Sequence, residues 1–315
     1  MAATVIATGY GGPEVLRVAD LPAGEPGPGE ALIGVRAAGV NPIDHKVYSG
    51  AHGTDPARLP MRLGFEAAGV VLRAGPGATG PAGPVRPGDE VIAYPARGAY
   101  AAELVVPAGA LVPKPAALDW PQAAALMLAG VTAWHALAAT GVGQGDTVLI
   151  HGGAGGVGTM AVQLAAARGA SVVATASPAR HDLLRGLGAV PVAYGPGLAQ
   201  RVRLAAPGGV TAALDLVGTD EAIDVSLELV PDRGRIATIA AFRRAGPAGI
   251  RALGSGPGAD PGTRLREQAR PQLAAMAGRG ALRVVVSGTF PLAEAAAAHR
   301  EIRGGHVAGK IALIP

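Results

Sequence analysis

The sequence predicts an α/β protein in which a small all-β body is followed by a domain with a doubly wound parallel sheet. Short apolar runs separated by Gly-Pro turns fill the first 115 residues, and strand and helix patterns alternate after Pro115. Of the 315 residues, 49% are hydrophobic and only 16% are charged, which is too apolar for a solvated coil. The 49 glycines and 27 prolines are therefore expected in the turns of a folded chain.

The all-β body is predicted from five short runs, which are bounded by Gly-Pro, Pro-Gly or Asn-Pro pairs. The predicted strands cover residues 5–9, 14–20, 30–40, 67–75 and 89–95. Residues 75–87 are expected to form a loop, because Gly and Pro recur there.

A long apolar helix and then a regular alternation of strands and helices follow. The helix is predicted to run for about seventeen residues from Asp119, a typical N-cap residue, with Pro121 in its first turn. Alternation at this spacing is typical of a parallel sheet with helices on both faces. The predicted strands are 147–151, 171–175, 190–193, 212–215 and 234–239, and the predicted helices are 157–168, 180–187 and 222–229.

The C-terminal part is predicted to contain two more helices and two more strands. Residues 246–262 are rich in Gly and Pro and are expected to form a loop that contains a short strand. A helix over 264–277 is followed by a strand over 282–286. A last helix over 293–303 and a strand over 306–313 end the chain.

Charge, cysteine content and hydropathy exclude several classes of function. The net charge is +4, but the arginines are spread along the chain without a basic tract, so no nucleic-acid partner is expected. With no cysteine, the chain has no disulfide, thiol nucleophile or thiolate zinc site. The N-terminal residues lack the pattern of a signal peptide, and Thr132 and His135 interrupt the apolar helix. We therefore expect a cytoplasmic protein that binds no membrane.

The glycine-rich stretch after residue 150 has the pattern of a dinucleotide-binding loop. The strand Val148-Leu149-Ile150 runs into Gly153-Ala154-Gly155-Gly156-Val157-Gly158, a G-x-G-x-x-G sequence, and a helix and a second strand follow. Gly153 is expected to form the tight turn, Gly155 to let the backbone approach a pyrophosphate, and Gly158 to allow close helix–strand packing. The helix N-terminal amides then face the phosphates. The alternative is a glycine turn in an α/β domain that binds no ligand.

The residues after the second strand of this unit favour NADP(H) over NAD(H). An NAD site places Asp or Glu there to bind the ribose 2′-hydroxyl. The chain instead has Thr175-Ala176-Ser177-Pro178-Ala179-Arg180, which offers a hydroxyl and a guanidinium to a 2′-phosphate. Alternatively, Arg180 is a solvated residue at the start of the next helix.

Several short motifs, modest one by one, become specific through their order along the chain. They are Asn41-Pro42-Ile43-Asp44 with Ser49-Gly50, Leu63-Gly64-Phe65-Glu66, Gly88-Asp89-Glu90-Val91, Gly98-Ala99-Tyr100-Ala101, Ala129-Gly130-Val131-Thr132, the glycine loop, and Gly305-His306-Val307-Ala308-Gly309-Lys310-Ile311. In this order they resemble the medium-chain dehydrogenase/reductase superfamily, in its zinc-free quinone oxidoreductase-like branch. The resemblance covers nearly the whole chain.

The resemblance implies a GroES-like β domain built from both chain ends and a Rossmann domain, with an active site in the cleft between them. The implied boundaries are 1–117 for the first part of the GroES-like catalytic domain, 118–258 for the Rossmann NADP(H)-binding domain, and 259–315 for the return to the catalytic domain. A homodimer is expected, and a strand within residues 246–259 is expected to extend the sheet across a two-fold axis.

The resemblance also assigns residues to the site. Asn41, Asp44 and Thr132 are expected to border the nicotinamide and its ribose. The residues expected along the rest of the cofactor are Gly155, Gly156 and Val157 at the pyrophosphate, with Gly153 and Gly158 shaping the loop; Ser177, Arg180 and Tyr194 at the adenosine 2′-phosphate; Val217, Ile239, Ala240 and Ala241 on the path from adenine to nicotinamide; and Lys310 at the rim.

The chain departs from its relatives at the expected proton donor. Quinone oxidoreductases often have a tyrosine shortly after the Ser-Gly pair, where this chain has His52. His52 is either a proton donor or oxyanion partner, since an imidazole titrates near neutral pH, or a solvent-facing loop residue. Tyr48 is the other candidate donor, with simple packing in the cleft wall as its alternative.

The absence of metal ligands in the sequence directs the prediction of substrate. Phe65-Glu66 stands where the zinc-dependent relatives have His-Glu, and the histidines show no paired ligand spacing. No metal is therefore expected, and the expected acceptors are small electrophiles, namely quinones and α,β-unsaturated carbonyls. The sequence thus predicts an NADPH-dependent reductase. Two alternatives stay open, a tailoring reductase of a polyketide-type intermediate and an NADPH-binding protein with little or no catalysis.

Overall fold

The computed structural model describes residues 1–51, 53–305 and 307–315. The chain divides into two compact units, the first formed by Met1–Leu128 with Arg270–Pro315 and the second by Ala129–Ala269. Both chain ends therefore belong to the first unit. The domain boundaries that the resemblance implies, after residues 117 and 258, stay predictions.

The strands and helices are numbered in chain order. The strands are β1 (Ala2–Ala7), β2 (Leu16–Leu21), β3 (Glu30–Val40), β4 (Met61–Arg62), β5 (Ala67–Ala74), β6 (Thr79–Gly80), β7 (Gly83–Pro84), β8 (Glu90–Ala93), β9 (Glu103–Pro107), β10 (Leu111–Pro113), β11 (Thr147–His151), β12 (Ser171–Thr175), β13 (Val190–Val192), β14 (Ala212–Asp215), β15 (Ile236–Thr238), β16 (Arg251–Ala252), β17 (Val286–Pro291) and β18 (Lys310–Ile314). The helices are α1 (Pro42–Tyr48), α2 (Trp120–Ala139), α3 (Gly156–Ala167), α4 (His181–Gly186), α5 (Leu198–Ala205), α6 (Asp220–Leu229), α7 (Phe242–Ala248), α8 (Thr263–Gly278) and α9 (Ala295–Arg303).

The first unit is mainly an antiparallel β structure. In the part of the chain that the structure describes, β10, β8, β5, β3, β18 and β17 form a sheet in this order, and β9 also pairs with β3. The C-terminal strand β18 lies antiparallel to β3, with Ile311 opposite Val40. The core beneath these strands contains large apolar side chains such as those of Ile33, Leu111 and Leu313. The C-terminal residues thus complete a sheet that the N-terminal residues begin.

The second unit is a parallel sheet with the strand order β13, β12, β11, β14, β15, β16. This is a doubly wound order, in which the chain leaves β11 in one direction and returns to its other side at β14. Within β11, Val148, Leu149 and Ile150 are fully buried, as expected for a central parallel strand. The point between β11 and β14 is the topological switch point, where such folds bind ligands.

Helix α2 begins as the sequence predicts. Asp119 and Gln122 form a capping box, in which the Gln122 N–H donates to Asp119 Oδ1 at 2.8 Å and the Asp119 N–H donates to Gln122 Oε1 at 3.1 Å. By length and composition α2 could cross a membrane. However, 72% of its apolar window is buried inside the structure, as in the core helix of a soluble protein.

Several predicted elements differ from the structure. The strand predicted over 282–286 is instead β17, because pairing with β18 begins only where Val286 lies opposite Lys310. Strand β18 begins at Lys310, whereas His306, the predicted first residue of this strand, lies outside the described residues. Helices α5 and α7 were not predicted, and the predicted loop over 75–87 contains the β6–β7 hairpin. Strand β16 lies at the edge of the parallel sheet, and its use in a homodimer stays a prediction.

Candidate functional site

The glycine loop joins β11 to α3 at the carboxyl edge of the parallel sheet. The sequence assigned its tight turn to Gly153, but the left-handed residue is Gly152, with a φ of 76°. Gly153 is constrained by packing instead, since a Cβ there would lie 2.7 Å from the Cβ of Ala174. At Gly158 a Cβ would lie 2.7 Å from the carbonyl carbon of Gly153, so the helix can approach the strand only without a side chain.

The first turn of α3 presents backbone amides without a side-chain cap. Gly155 is the N-cap residue, in an extended conformation, and no side chain accepts a hydrogen bond from the helix start. A Cβ at Gly155 would contact only the carbonyl oxygen of Gly152, at 3.5 Å. The amides of Gly156 and Val157 belong to the helix start, where no intrahelical acceptor exists. These uncapped amides fit a pyrophosphate, because the missing side chain at Gly155 leaves space for a ligand to approach them.

The residues expected at the 2′-phosphate follow two neighbouring strands. Thr175 of β12 pairs in register with Val192 of β13, so Ser177 and Tyr194 lie at the same edge, each two residues beyond its strand. The Tyr194 side chain is 59% exposed, and the Ser177 side chain makes no capping hydrogen bond. Arg180 ends a short 3-10 helix and is half-buried. A hydroxyl, a phenol and a guanidinium therefore follow these strand ends.

Two buried polar residues that sequence reasoning missed hold the neighbouring loops. Asp215, at the end of β14, accepts from the backbone N–H groups of Val217 and Gly218 through Oδ1, at 3.1 and 2.8 Å. Its Oδ2 accepts from the Thr238 hydroxyl at 2.6 Å. Thr238 Oγ1 in turn accepts from the N–H groups of Ala240 and Ala241, at 3.0 and 2.8 Å.

This Asp215–Thr238 pair fixes the backbone of the loops that carry the residues expected between adenine and nicotinamide. Those residues are Val217, Ile239, Ala240 and Ala241. The sequence signal that could have revealed the pair is an Asp at the end of a buried parallel strand, followed by a glycine turn.

In the first unit, Asn41 belongs to a buried polar cluster with Glu66 and Lys310. Lys310 Nζ donates to Glu66 Oε1 at 2.8 Å, to the Val40 carbonyl oxygen at 3.0 Å, and to Asn41 Oδ1. Asn41 Nδ2 donates to Glu66 Oε1 at 3.0 Å, and Glu66 Oε2 accepts from the Leu128 N–H at 2.7 Å. Lys310 is therefore a buried residue that orients the Asn41 amide, although the sequence placed it at a rim.

A second buried chain of hydrogen bonds connects Asp44 to Tyr48. Tyr100 donates its hydroxyl proton to Asp44 Oδ2 at 2.9 Å, and Asp44 Oδ2 also accepts from the Asn41 N–H at 2.7 Å. His299 Nε2 lies 3.2 Å from the Tyr100 hydroxyl, and His299 Nδ1 lies 2.7 Å from the Tyr48 hydroxyl. Because Tyr100 donates to Asp44, its oxygen accepts from Nε2, and Nδ1 accepts from Tyr48.

Burial shifts the pKa values of this chain. It raises the pKa of Asp44 from 3.8 to about 7, against the opposing effect of the hydrogen bond from Tyr100. It lowers the pKa of His299 to about 4, so the imidazole is neutral, and it raises the pKa values of Tyr48 and Tyr100. Asp44 Oδ1 has no hydrogen-bond partner among the described residues.

The structure brings the predicted residues together in two groups. Asn41, Asp44, Tyr48 and Lys310 lie close together in the first unit, and the glycine loop and the strand-end residues lie along one sheet edge of the second unit. Thr132 also belongs to the second unit, on α2. His52, the candidate proton donor, lies outside the described residues.

Comparisons with known proteins identify the family. One family model, an alcohol dehydrogenase GroES-like domain, matches residues 27–116, and another, a zinc-binding dehydrogenase, matches residues 187–313. The chain is 35% identical to the quinone oxidoreductase of Pseudomonas aeruginosa, over 100% of both proteins. This chain belongs to the medium-chain dehydrogenase/reductase superfamily. The predicted fold class, a GroES-like domain with a parallel-sheet domain of the Rossmann type, is thereby confirmed.

Within this superfamily the chain is similar to proteins of different size. It is 36% identical over 91% of its length to the NorB protein of the spectinabilin polyketide synthase system of Streptomyces orinoci, but it spans only 13% of that protein. A mycobacterial protein solved in complex with NADPH is 33% identical, covers 100% of both chains and superposes with a TM-score of 0.86. Although one family model is named for zinc, no group of three or more His, Asp or Glu residues in 1–51, 53–305 and 307–315 could hold a metal ion.

Proposed function

We propose that this chain is an oxidoreductase that uses NADPH to reduce a quinone or an α,β-unsaturated carbonyl compound. The observation that carries the proposal is the helix start at Gly155, which has no side-chain cap, followed at the next strand end by Ser177 and Arg180 in place of a carboxylate. The similarity to a quinone oxidoreductase and to a protein solved with NADPH supports it.

Different residues of the chain bind different parts of the cofactor. The amides of Gly156 and Val157 bind the pyrophosphate, and Ser177, Arg180 and Tyr194 bind the 2′-phosphate. When bound, NADPH supplies a hydride that, together with one proton, reduces the acceptor. The Asp215–Thr238 pair holds the loops along which the rest of the cofactor extends.

We propose electrophilic acceptors because their reduction requires only hydrogen-bond donors from the protein. An acceptor that is already polarised needs hydrogen-bond donors rather than a Lewis acid to take up the charge that hydride transfer creates. The Tyr48 hydroxyl donates to His299 inside the first unit. We therefore assign Tyr48 to the packing alternative, and the proton donor stays a prediction for His52.

Steady-state oxidation of NADPH in the presence of 1,4-benzoquinone or a small enone tests the proposal. We expect turnover with NADPH and a much weaker response to NADH. Arg180→Gln should raise the dissociation constant for NADPH by about tenfold, the usual value of one charge-assisted contact, and leave that for NADH unchanged. Arg185→Gln is the matched control, since Arg185 is an exposed neighbour paired with Asp182. An equal loss of NADPH affinity in both variants would show that Arg180 does not bind the 2′-phosphate.

The similarity to a part of a polyketide synthase system favours a second candidate, a reductase of enoyl intermediates bound as thioesters. Relative rates with an enoyl thioester of N-acetylcysteamine and with the corresponding free enone separate the two functions. Faster reduction of the thioester would support the tailoring role, and faster reduction of the free enone or of benzoquinone would support the first proposal.

A further inference from the structure

Arg266, in the first turn of α8, holds its guanidinium against two side chains of α2. Its Nη1 donates to Thr132 Oγ1 and its Nε donates to His135 Nδ1, each at 3.4 Å. The residue is half-buried, and its Nη2 lies beside Gly254, where a Cβ would be 3.9 Å away. The guanidinium is therefore held by neighbours and is not a free surface charge.

A buried histidine and a tight loop fix this arrangement. His135 Nε2 donates to Asp260 Oδ2 at 3.2 Å, and Asp260 Oδ1 accepts from the Gly262 N–H at 2.8 Å. Burial lowers the pKa of His135, which keeps its ring neutral and Nδ1 able to accept from Arg266. A Cβ at Gly262 would lie 2.5 Å from both ring nitrogens, so only glycine lets this loop close over the imidazole.

Some N–H groups of the Arg266 guanidinium have no hydrogen-bond acceptor among the described residues. Of its five N–H groups, two have acceptors among the described residues, namely one on Nε and one on Nη1. No ion pair within 4.0 Å joins it to a carboxylate in the part of the chain that the structure describes, although the charge of the nearby Asp260 interacts with it. Both N–H groups of Nη2 and the second on Nη1 are therefore available for a ligand.

Arg266 lies at the sheet edge where the cofactor residues lie. Gly254 follows β16 by two residues, as the glycine loop follows β11 and Ser177 follows β12. Since the 2′-phosphate residues follow β12 and β13 and the pyrophosphate loop follows β11, an extended dinucleotide directs its other end toward β14, β15 and β16. At about 4.8 Å per strand, β16 is roughly 14 Å from β11. Arg266 is thus placed at the reacting end.

We propose that Arg266 is a specificity-determining residue that binds a carboxylate on the acceptor. A guanidinium with adjacent free N–H groups binds a carboxylate through two parallel hydrogen bonds. The smallest acceptors that combine a carboxylate with a reducible double bond are α,β-unsaturated carboxylic acids. His135 and Asp260 are positioning residues that act through Arg266. The choice of acceptor rests on the proposed function, whereas binding of the carboxylate does not require turnover.

Calorimetric titration with propionate, a carboxylate that has no double bond to reduce, tests the anion site without catalysis. The titration uses the full chain with and without NADP⁺, in the wild type, Arg266→Gln and Arg264→Gln. We expect Arg266→Gln to weaken propionate binding at least about tenfold, as for the loss of one bidentate pair. Arg264 is an exposed arginine of the same turn, and its replacement should change the affinity less than about twofold. Unchanged binding in Arg266→Gln, or no binding to the wild type, would overturn the proposal.

Steady-state kinetics with acrylate and with neutral 1,4-benzoquinone test the selectivity. Arg266→Gln should raise the KM for acrylate at least about tenfold and leave the KM for benzoquinone unchanged, while Arg266→Lys should restore part of the loss. His135→Leu should produce the same split through misplacement of Arg266. An equal rise in both KM values in either variant would indicate a merely structural role and contradict the proposal.

The outcomes separate this inference from the proposed function. If no acceptor is reduced but propionate binding depends on Arg266, the carboxylate site stands and the reductase function fails. If benzoquinone is reduced but propionate binding is independent of Arg266, the function stands and the carboxylate site fails. If Arg266→Gln instead weakens NADPH binding tenfold, Arg266 acts on the cofactor, by direct contact or through Thr132, and the proposal is overturned.

Discussion

At Asp44, burial couples a single carboxyl group to the stability of the first unit. Its Oδ2 anchors the start of α1 through the Asn41 N–H, and its Oδ1 lies buried without a partner among the described residues. Burial raises its pKa from 3.8 to about 7, so the folded chain holds a proton that the unfolded chain has released. Stability from this group is therefore greatest at low pH and is lost as pH rises through about 7.

We predict that Asp44→Asn removes this pH dependence. The difference between the free energies of unfolding of the wild type and the variant should shift against the wild type as pH rises from about 5 to about 8. Between pH 5 and pH 8 the experiment captures about two pKa units of the shift from 3.8 to about 7, on the order of 3 kcal/mol at most. Urea unfolding at both pH values measures it.

The control for this prediction is Asp182→Asn, since Asp182 is an exposed carboxylate paired with Arg185. Its effect should be nearly the same at both pH values. The buried histidines His151 and His299, whose pKa values burial lowers to about 4, oppose Asp44 as pH falls below 6.5. Comparing each variant with the wild type at the same pH largely cancels their contribution. A constant difference for Asp44→Asn would contradict the raised pKa.

Residues of the candidate site were predictable only where a local pattern marks them. The glycine loop lies in one contiguous segment, so spacing alone identified it. Glu66 and Lys310 are in contact although they are 244 residues apart in the sequence, and Tyr48 and His299 are 251 residues apart. No local sequence pattern predicts such contacts. The contact between Arg266 and Thr132 was not predictable for the same reason.

At the scale of the elements, the glycines in the turn from β11 to α3 have different roles. Gly158 is needed for folding, whereas Gly155 is needed for binding. We predict that Gly155→Ala folds normally but binds NADPH at least about tenfold more weakly, because the new Cβ occupies the approach of the pyrophosphate. Among the described residues the new Cβ would meet the Gly152 carbonyl oxygen at 3.5 Å, an ordinary contact distance, and the Gly155 φ of −76° suits alanine. Thermal unfolding and fluorescence titration with NADPH measure the two effects.

Gly158→Ala should have the opposite pattern. Its Cβ would collide with the Gly152 carbonyl oxygen, which belongs to backbone that cannot move aside cheaply. We expect a loss of stability of at least about 2 kcal/mol, typical of overpacking at a backbone contact. Gly186→Ala, with no atom within 4 Å of the new Cβ, is the control. Normal stability of Gly158→Ala would show that helix and strand are less closely packed than described.

Element boundaries were predictable from sequence where burial is continuous. Strands β11, β12 and β14 begin and end as predicted, since central parallel strands are apolar runs bounded by turn residues. Helix α5 was missed because it is short and buries only Leu198 and Val202. The strand β17 was misplaced because its alternating half-buried and exposed residues carry a weak signal, and pairing with β18 decides where it begins.

At the scale of the whole molecule, Lys310 ties the C-terminal strand to the N-terminal part of the chain. Its ion pair with Glu66 has side chains only 5% and 0% exposed. We predict that Lys310→Met destabilises the chain by about 3–5 kcal/mol, because it leaves the Glu66 carboxylate buried without its cation. Chemical denaturation measures the loss.

A second lysine provides the comparison. Lys114 has a side chain that is only 7% exposed, but it pairs with Glu90, whose side chain is 52% exposed, and its ammonium lies over the Trp120 ring. Because Lys114→Met leaves the Glu90 carboxylate in contact with solvent, it should cost only about 1–2 kcal/mol. Adding Glu66→Leu to Lys310→Met should recover part of the lost stability, since no unpaired charge remains. Equal costs for Lys310→Met and Lys114→Met would mean that the Glu66 charge is not buried.

The chain forms a β unit from both of its ends and a second unit with a parallel sheet. For the molecule as a whole we propose that it transfers a hydride from NADPH to an electrophilic acceptor. The most direct test is NADPH deuterated at both hydrogens of the nicotinamide C4, incubated with the protein and an enone in ordinary water. The account predicts one deuterium at the β-carbon of the reduced product, detected by mass spectrometry. Saturable binding of NADPH without reduction of the enone, or a reduced product that contains no deuterium, would contradict it.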